Sequence, residues 1–141
     1  MSKTYIPKQL REFVRTRAEE CCEYCRIPEV LQQVSYHVDH ITPEKQKGPT
    51  VESNLALACP DCNYRKGYSV GWYDDDKQVL VRLYRPRTDK WGEHFLLLPS
   101  GIIKARTREG EVTIKLLQIN EIGGVIFRNV AISQGLIQPS T

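Results

Sequence analysis

Long apolar runs are the plainest absence in this chain. Nothing in its 141 residues approaches the ~20 consecutive apolar residues of a membrane-spanning helix, so no membrane partner is expected. The opening Met1-Ser2-Lys3-Thr4-Tyr5 lacks the apolar segment of a secretory signal. A reducing, cytoplasmic setting is therefore expected, where paired cysteines more often bind metal than form disulfides. Internal repeats and low-complexity tracts are also missing. No large excess of one charge exists either, since a net +3 is only mildly basic and does not prove a nucleic-acid partner. Histidine is scarce, with three in all, so His37, His40 and His94 are the only imidazoles available.

What is present is ordinary for a globular chain, 40% hydrophobic and 26% charged. The length suits one domain over residues 1–141 with a modest core. Residues 7–21 read as a helix that Pro7 can begin, with Leu10, Phe13, Val14, Ala18 and Cys21 as its apolar stripe and its arginines in water. Residues 29–33 suit a helical turn. Val34 to Ile41 is rich in β-branched and aromatic residues and reads as a strand, followed by a loop over 42–53 broken by Pro43, Gly48 and Pro49. Residues 54–58 could be a second strand, and 63–67 a short helix ended by Gly67. From Gly71 the character changes. Asp74-Asp75-Asp76 marks a turn, and strands are expected over 79–84, 95–98 and 102–105, the last two joined by Pro99-Ser100-Gly101. A helix is expected over 111–120, with Thr107 or Gly110 before it and Gly123-Gly124 after it, followed by an apolar tail over 125–136.

Two Cys-x-x-Cys pairs carry the first chemical signal. Cys22/Cys25 and Cys59/Cys62 offer four thiolates, the set that closes a tetrahedral zinc ion and leaves no open position, so the site should be structural. Cys21 continues the apolar stripe and is assigned to the core; a register swap that makes it the ligand is the alternative. The two pairs lie far enough apart for an inserted hairpin.

That insertion holds the second signal. Asp39 and His40 are adjacent, Asn54 and Asn63 follow, and phosphodiester chemistry has a use for each type. A neutral imidazole near pH 7 can take a proton from water. A carboxylate and an amide carbonyl are hard oxygen donors suited to Mg²⁺ or Mn²⁺. In a regular strand Asp39 and His40 would face opposite ways, so both can serve one site only if the strand ends or bends there, and Thr42-Pro43 supplies a break. His37 could assist or bind metal, or be a half-buried strand histidine. His94, Trp72, Tyr73 and Trp91 read as structural.

Taken together, Asp39-His40-Ile41, Asn54-Leu55 and Cys59-x-x-Cys62-Asn63-x-x-Lys66-Gly67 resemble the zinc-knuckle branch of the HNH endonucleases, over residues of about 18–67. The resemblance implies an α+β fold: a ββα-metal core over about 18–70 stapled by zinc, an N-terminal helix, and a small α+β extension over about 71–141. It implies His40 as general base, Asp39 as a ligand of the catalytic cation, Asn54 as the residue that pins the loop and fixes the His40 ring, and Asn63 as a ligand or orienter where other members carry His. Gly48-Pro49 stands where Gly-Gly is usual.

A metal-dependent DNA endonuclease is the expected function. The alternatives are a non-catalytic zinc-ribbon module that binds nucleic acid or protein, and a ribonuclease on the same core. Arg65 and Lys66 could hold phosphate. Arg82, Arg85 and Arg87 belong to a basic cluster running from Arg82 to Arg108 that is either a solvated face or a phosphate-tracking surface.

Overall fold

The computed structural model describes residues 4–141. Helix α1, Lys8–Arg17, is shorter than its apolar pattern suggested. Glu19 and Glu20 both take left-handed backbone (φ 55° and 58°), which a continuing helix does not allow. The stripe shortens with it: Val14 and Ala18 are buried and Leu10 packs at the core edge, but Phe13 is exposed. The helix arginines are not simply solvated. Arg15 pairs with Glu29, and Arg17 donates to the carbonyls of Glu52 and Leu55 at 3.0 and 2.6 Å. A short helix, α2, spans Glu29–Gln32.

Strand β1 is His37–His40 and β2 is Leu55–Ala58, paired antiparallel with His37 opposite Ala58 and His40 opposite Leu55. The expected strand began at Val34, but Val34 and Ser35 are exposed and unpaired with β2. All four residues of β2 are buried. Helix α3, Pro60–Lys66, starts earlier than expected because Cys59 caps it: its sulfur accepts from Cys62 N at 3.4 Å, and Pro60 takes the first turn. β1, β2 and α3 together form a ββα unit.

The later chain folds onto it. β3 (Gly71–Asp74) and β4 (Val79–Arg82) form one hairpin, turning at the acidic triplet as expected. α4 (Trp91–His94) leads into β5 (Phe95–Leu97), which pairs with β6 (Ile103–Ala105). Helix α5 is Arg108–Leu117, earlier than expected because Thr107 Oγ1 caps Gly110 N at 3.0 Å. Helix α6 is Ile122–Ser133, so Gly123 and Gly124 lie inside a helix rather than ending one.

One core cluster joins the two halves. Val14, Tyr24, Leu55 and Leu57 from the N-terminal part pack in the same cluster as Trp91, Phe95, Ile103 and Leu117. Trp91 also donates from Nε1 to Tyr24 O at 3.0 Å. The structural reading of Trp91 and His94 agrees with this burial, although His94 ends a helix rather than sitting on a strand. Tyr73 does not pack and is exposed. No helix of the described residues is long and apolar enough to cross a membrane.

Candidate metal centre and active site

The two cysteine knuckles meet. The sulfurs of Cys22, Cys25, Cys59 and Cys62 lie within 4.8 Å of one another, all buried. A tetrahedral zinc ion with Zn–S bonds of ~2.3 Å sets neighbouring sulfurs roughly 3.8 Å apart. Cys25 and Cys59 stand at 3.7 Å, so the donor set fits zinc in both chemistry and size. Cys21 is only half-buried and takes no part in the cluster. The first knuckle is docked on the edge of β2: Glu23 N donates to Leu57 O at 2.9 Å, and the Glu23 carboxylate accepts from Leu57 N at 2.8 Å. The knuckle is therefore pinned to β2, and the four-cysteine cluster lies at the end of the strand whose partner carries Asp39 and His40.

Asp39 and His40 are both buried, each about 6% exposed, and they are held by different partners. His40 Nε2 lies 2.9 Å from Thr50 Oγ1, with Glu44 Oε1 at 3.7 Å. Asn54, expected to pin the loop and fix this ring, bonds the loop directly and does not touch the ring. Its Oδ1 accepts from Thr42 N at 2.8 Å, and its Nδ2 donates to Thr42 O at 3.0 Å and Pro49 O at 2.8 Å. The loop over residues 42–53 is thus closed by one side chain. Gly48 belongs to the same closure, because a Cβ there would lie 1.7 Å from Thr42 O. Such an overlap excludes every other residue, and Pro49 needs no such room. Thr50 reaches His40 because this closed loop carries it there.

Asp39 faces inward. Its carboxylate accepts from Tyr24 Oη at 2.8 Å and pairs with the Lys66 ammonium at 3.1 Å. Burial pushes the Asp39 carboxyl above its ordinary value, against the pull of Lys66 and Tyr24. Burial and the neighbouring Asp39 also push the Tyr24 phenol far up. Lys66 is only 2% exposed and donates as well to His40 O at 3.0 Å. It is therefore not a phosphate-holding surface cation, contrary to expectation. As an internal ion pair it ties α3 to β1.

Asn63 is half-buried on α3. Asp39 and Asn63 offer oxygen donors of the kind Mg²⁺ and Mn²⁺ take. The carboxylate is engaged, however, so a divalent cation there would share it with, or displace, the Lys66 ammonium and the Tyr24 hydroxyl. Besides the four cysteines, no group of three or more His, Cys, Asp or Glu ligands forms among the described residues.

The other basic candidates are also mostly engaged. Arg65 pairs with Glu121 at 2.6 Å and donates to Leu117 O at 3.2 Å, which ties α3 to the C-terminal helices. Arg82 forks onto both oxygens of Asp89, at 2.6 and 3.1 Å. Arg87 pairs with Glu23 of the first knuckle. Arg85 is different: it has no carboxylate partner among the described residues and reaches Thr42 Oγ1 at 3.2 Å, beside the clamped loop. His37 is exposed, so it is neither a half-buried strand residue nor part of the cysteine cluster.

Thr50, Glu44 and Tyr24 are the residues that sequence reasoning missed. None sits at a diagnostic spacing, because each reaches its partner only through loop closure or the docking of the knuckle. The exposed ring of Tyr64, next to Asn63 on α3, was likewise not singled out.

Comparison with curated proteins and with solved structures returns no match. The family model described as HNH endonuclease matches residues 22–69. That span begins at the first zinc-knuckle cysteine, ends just beyond α3, and contains Asp39, His40, Asn54, Asn63 and all four clustered cysteines. Residues 22–69 thus match the HNH endonuclease family model, over a stretch in which hairpin and helix are joined through a cluster of four cysteines that could hold a metal ion.

Proposed function

We propose that this protein is a metal-dependent endonuclease that hydrolyses phosphodiester bonds in DNA, with a water activated by His40 as nucleophile. The observation that carries this reading is the setting of His40. It is a buried imidazole on a strand of an HNH unit, with one ring nitrogen held by Thr50 at 2.9 Å. With Nε2 donating to Thr50 Oγ1, Nδ1 keeps its lone pair and can accept a proton from water. The hydroxide attacks phosphorus in line as the bond to the 3′ oxygen breaks, leaving 5′-phosphate and 3′-hydroxyl ends.

Asp39 and Asn63 are the residues that would hold the divalent cation, Mg²⁺ or Mn²⁺. When bound there, such a cation would supply positive charge to offset that on the phosphate and on the departing 3′ oxygen. Asn54 and Gly48 keep the loop closed so that Thr50 stays on His40. Arg85 reaches this loop from the basic cluster and, with the exposed Lys45 and Lys47 of the loop itself, is available to a phosphate there.

The Lys66–Asp39 pair favours a second reading, a non-catalytic module that binds nucleic acid or protein, because it occupies the carboxylate that a cation needs. A supercoiled-plasmid assay with Mg²⁺ or Mn²⁺ separates the two. Wild type is compared with His40→Ala at matched zinc content, with a matched RNA substrate alongside. The enzyme reading expects nicking or linearisation by wild type and a loss of about 10²–10⁴ in rate for His40→Ala. No cleavage of either substrate by wild type leaves the binding module. Cleavage of RNA alone makes it a ribonuclease.

A further inference from the structure

Arg128 is the largest side chain that the fold buries completely, at 0% exposure. It lies on α6, far along the chain from the HNH unit. Its Nε donates to Gly101 O at 2.6 Å, its Nη2 to Ile119 O at 2.8 Å and Asn120 Oδ1 at 3.3 Å, and its Nη1 to Cys25 O at 3.4 Å. All four acceptors are neutral. Among the described residues no carboxylate pairs with it, which is unusual, because a buried guanidinium is strongly disfavoured without an opposite charge.

Arg128 shares a small cavity with three of the four clustered cysteines, Cys25, Cys59 and Cys62; the carboxylates of Asp61 and Glu121 also line it, but neither pairs with Arg128. Four thiolates around one Zn²⁺ make a dianion. Buried in a low-dielectric core, that dianion needs a cation as much as the cation needs it. Gly124 opens the space: a Cβ there would stand 3.3 Å from Arg128 Nη1 and 3.1 Å from Ile119 O. The other nearby cation, Arg65, is already matched by Glu121.

We infer that Arg128 is the counter-charge of the four-cysteine metal centre, a positioning residue through which helix α6 strengthens zinc binding in the HNH unit. This rests on reading the four cysteines as a zinc site. It gives the C-terminal extension a role inside the metal centre, not only around it.

The test is the zinc dissociation constant of the full chain, measured by chelator competition at fixed pH. Wild type is compared with Arg128→Met, Arg128→Lys and the packing control Leu97→Ala, a buried core residue away from the cavity. Groups that support metal ligands from the next shell typically contribute 10–100-fold to affinity. Arg128→Met should therefore raise the constant by about that factor. Arg128→Lys should stay within several-fold of wild type, and Leu97→Ala should lose thermal stability with little change in zinc affinity. If Arg128→Met stays within about two-fold of wild type, or moves no further than Leu97→Ala at equal loss of thermal stability, the inference is overturned. Should Arg128→Met not fold, Arg128→Lys decides. It keeps the charge and loses the fork, so tight zinc at a lowered melting temperature supports the role, and an affinity loss of tenfold or more removes it. Wild type that carries and takes up no zinc would instead sink the metal centre, and this role with it.

Discussion

Lys66 shows how far a single residue can depart from its appearance in sequence. A lysine after Asn63 on a helix looks like a phosphate contact, yet it is sealed under β1 against Asp39. Removing one partner of such a pair leaves a buried, uncompensated charge, which costs about 3–5 kcal/mol. Lys66→Met is expected to lower unfolding stability by that amount, read from denaturant midpoints at pH 7. The pH dependence has a definite sign. Burial already lifts Asp39 above its ordinary 3.8, and without Lys66 it rises further. A group raised on folding contributes stability at low pH that is lost as pH climbs through its folded value. The deficit of Lys66→Met should therefore shrink from pH 7 towards pH 4, and a constant deficit would mean that the ammonium does not compensate Asp39.

At the scale of elements, the closed loop between β1 and β2 does most to shape the site. Its three hydrogen bonds to Asn54 are the reason Thr50 meets His40. Asn54→Ala leaves the part-buried Thr42 and Pro49 carbonyls and the Thr42 amide without that partner. A loss of about 1–3 kcal/mol per stranded group is the upper range, so faster amide exchange over residues 42–50 is expected, with cleavage reduced even though His40 is intact. The segment from Tyr84 to His94 is held differently. Burial pushes Asp89 up, but hydrogen bonds from Arg82 and Arg85 N outweigh it and hold the carboxyl below 3.8. Stability from a depressed carboxylate is present above its unfolded value and lost as pH falls through its folded one. Asp89→Asn should therefore flatten the acid limb of the stability profile below about pH 4; an unchanged limb would discount the Arg82 fork.

For the whole molecule, we propose that residues 4–141 unfold as one unit held by the metal centre. The main core cluster takes residues from Val14 to Ile119, the four cysteines among them, beside a smaller cluster of Val81, Leu83 and Val112. Structural zinc supplies folding free energy directly. Cys59→Ser is expected to release zinc and unfold much of the chain, and a strong chelator should do the same to wild type in a single transition that includes α5 and α6. Unaltered zinc content and melting temperature in Cys59→Ser would refute the four-cysteine assignment. Two separate transitions would divide the HNH unit from its extension.

The sequence by itself determined the parts whose logic is local. Two Cys-x-x-Cys turns aim their sulfurs through short-range geometry, so the metal centre was readable from spacing. The Asp39-His40, Asn54 and Asn63 pattern was enough to identify the HNH unit that the family match also covers. Strands and helices with strong patterning were found, with ends displaced where a left-handed residue or a cap decided them, as at Glu19 and Thr107. Only the tertiary structure decided which charges are spent internally. Lys66, Arg65, Arg82, Arg87 and Arg128 look alike in a string of letters, and each met its partner through packing across elements. A charge's free energy depends on the groups and dielectric around it, and folding brings those together from distant positions in the chain.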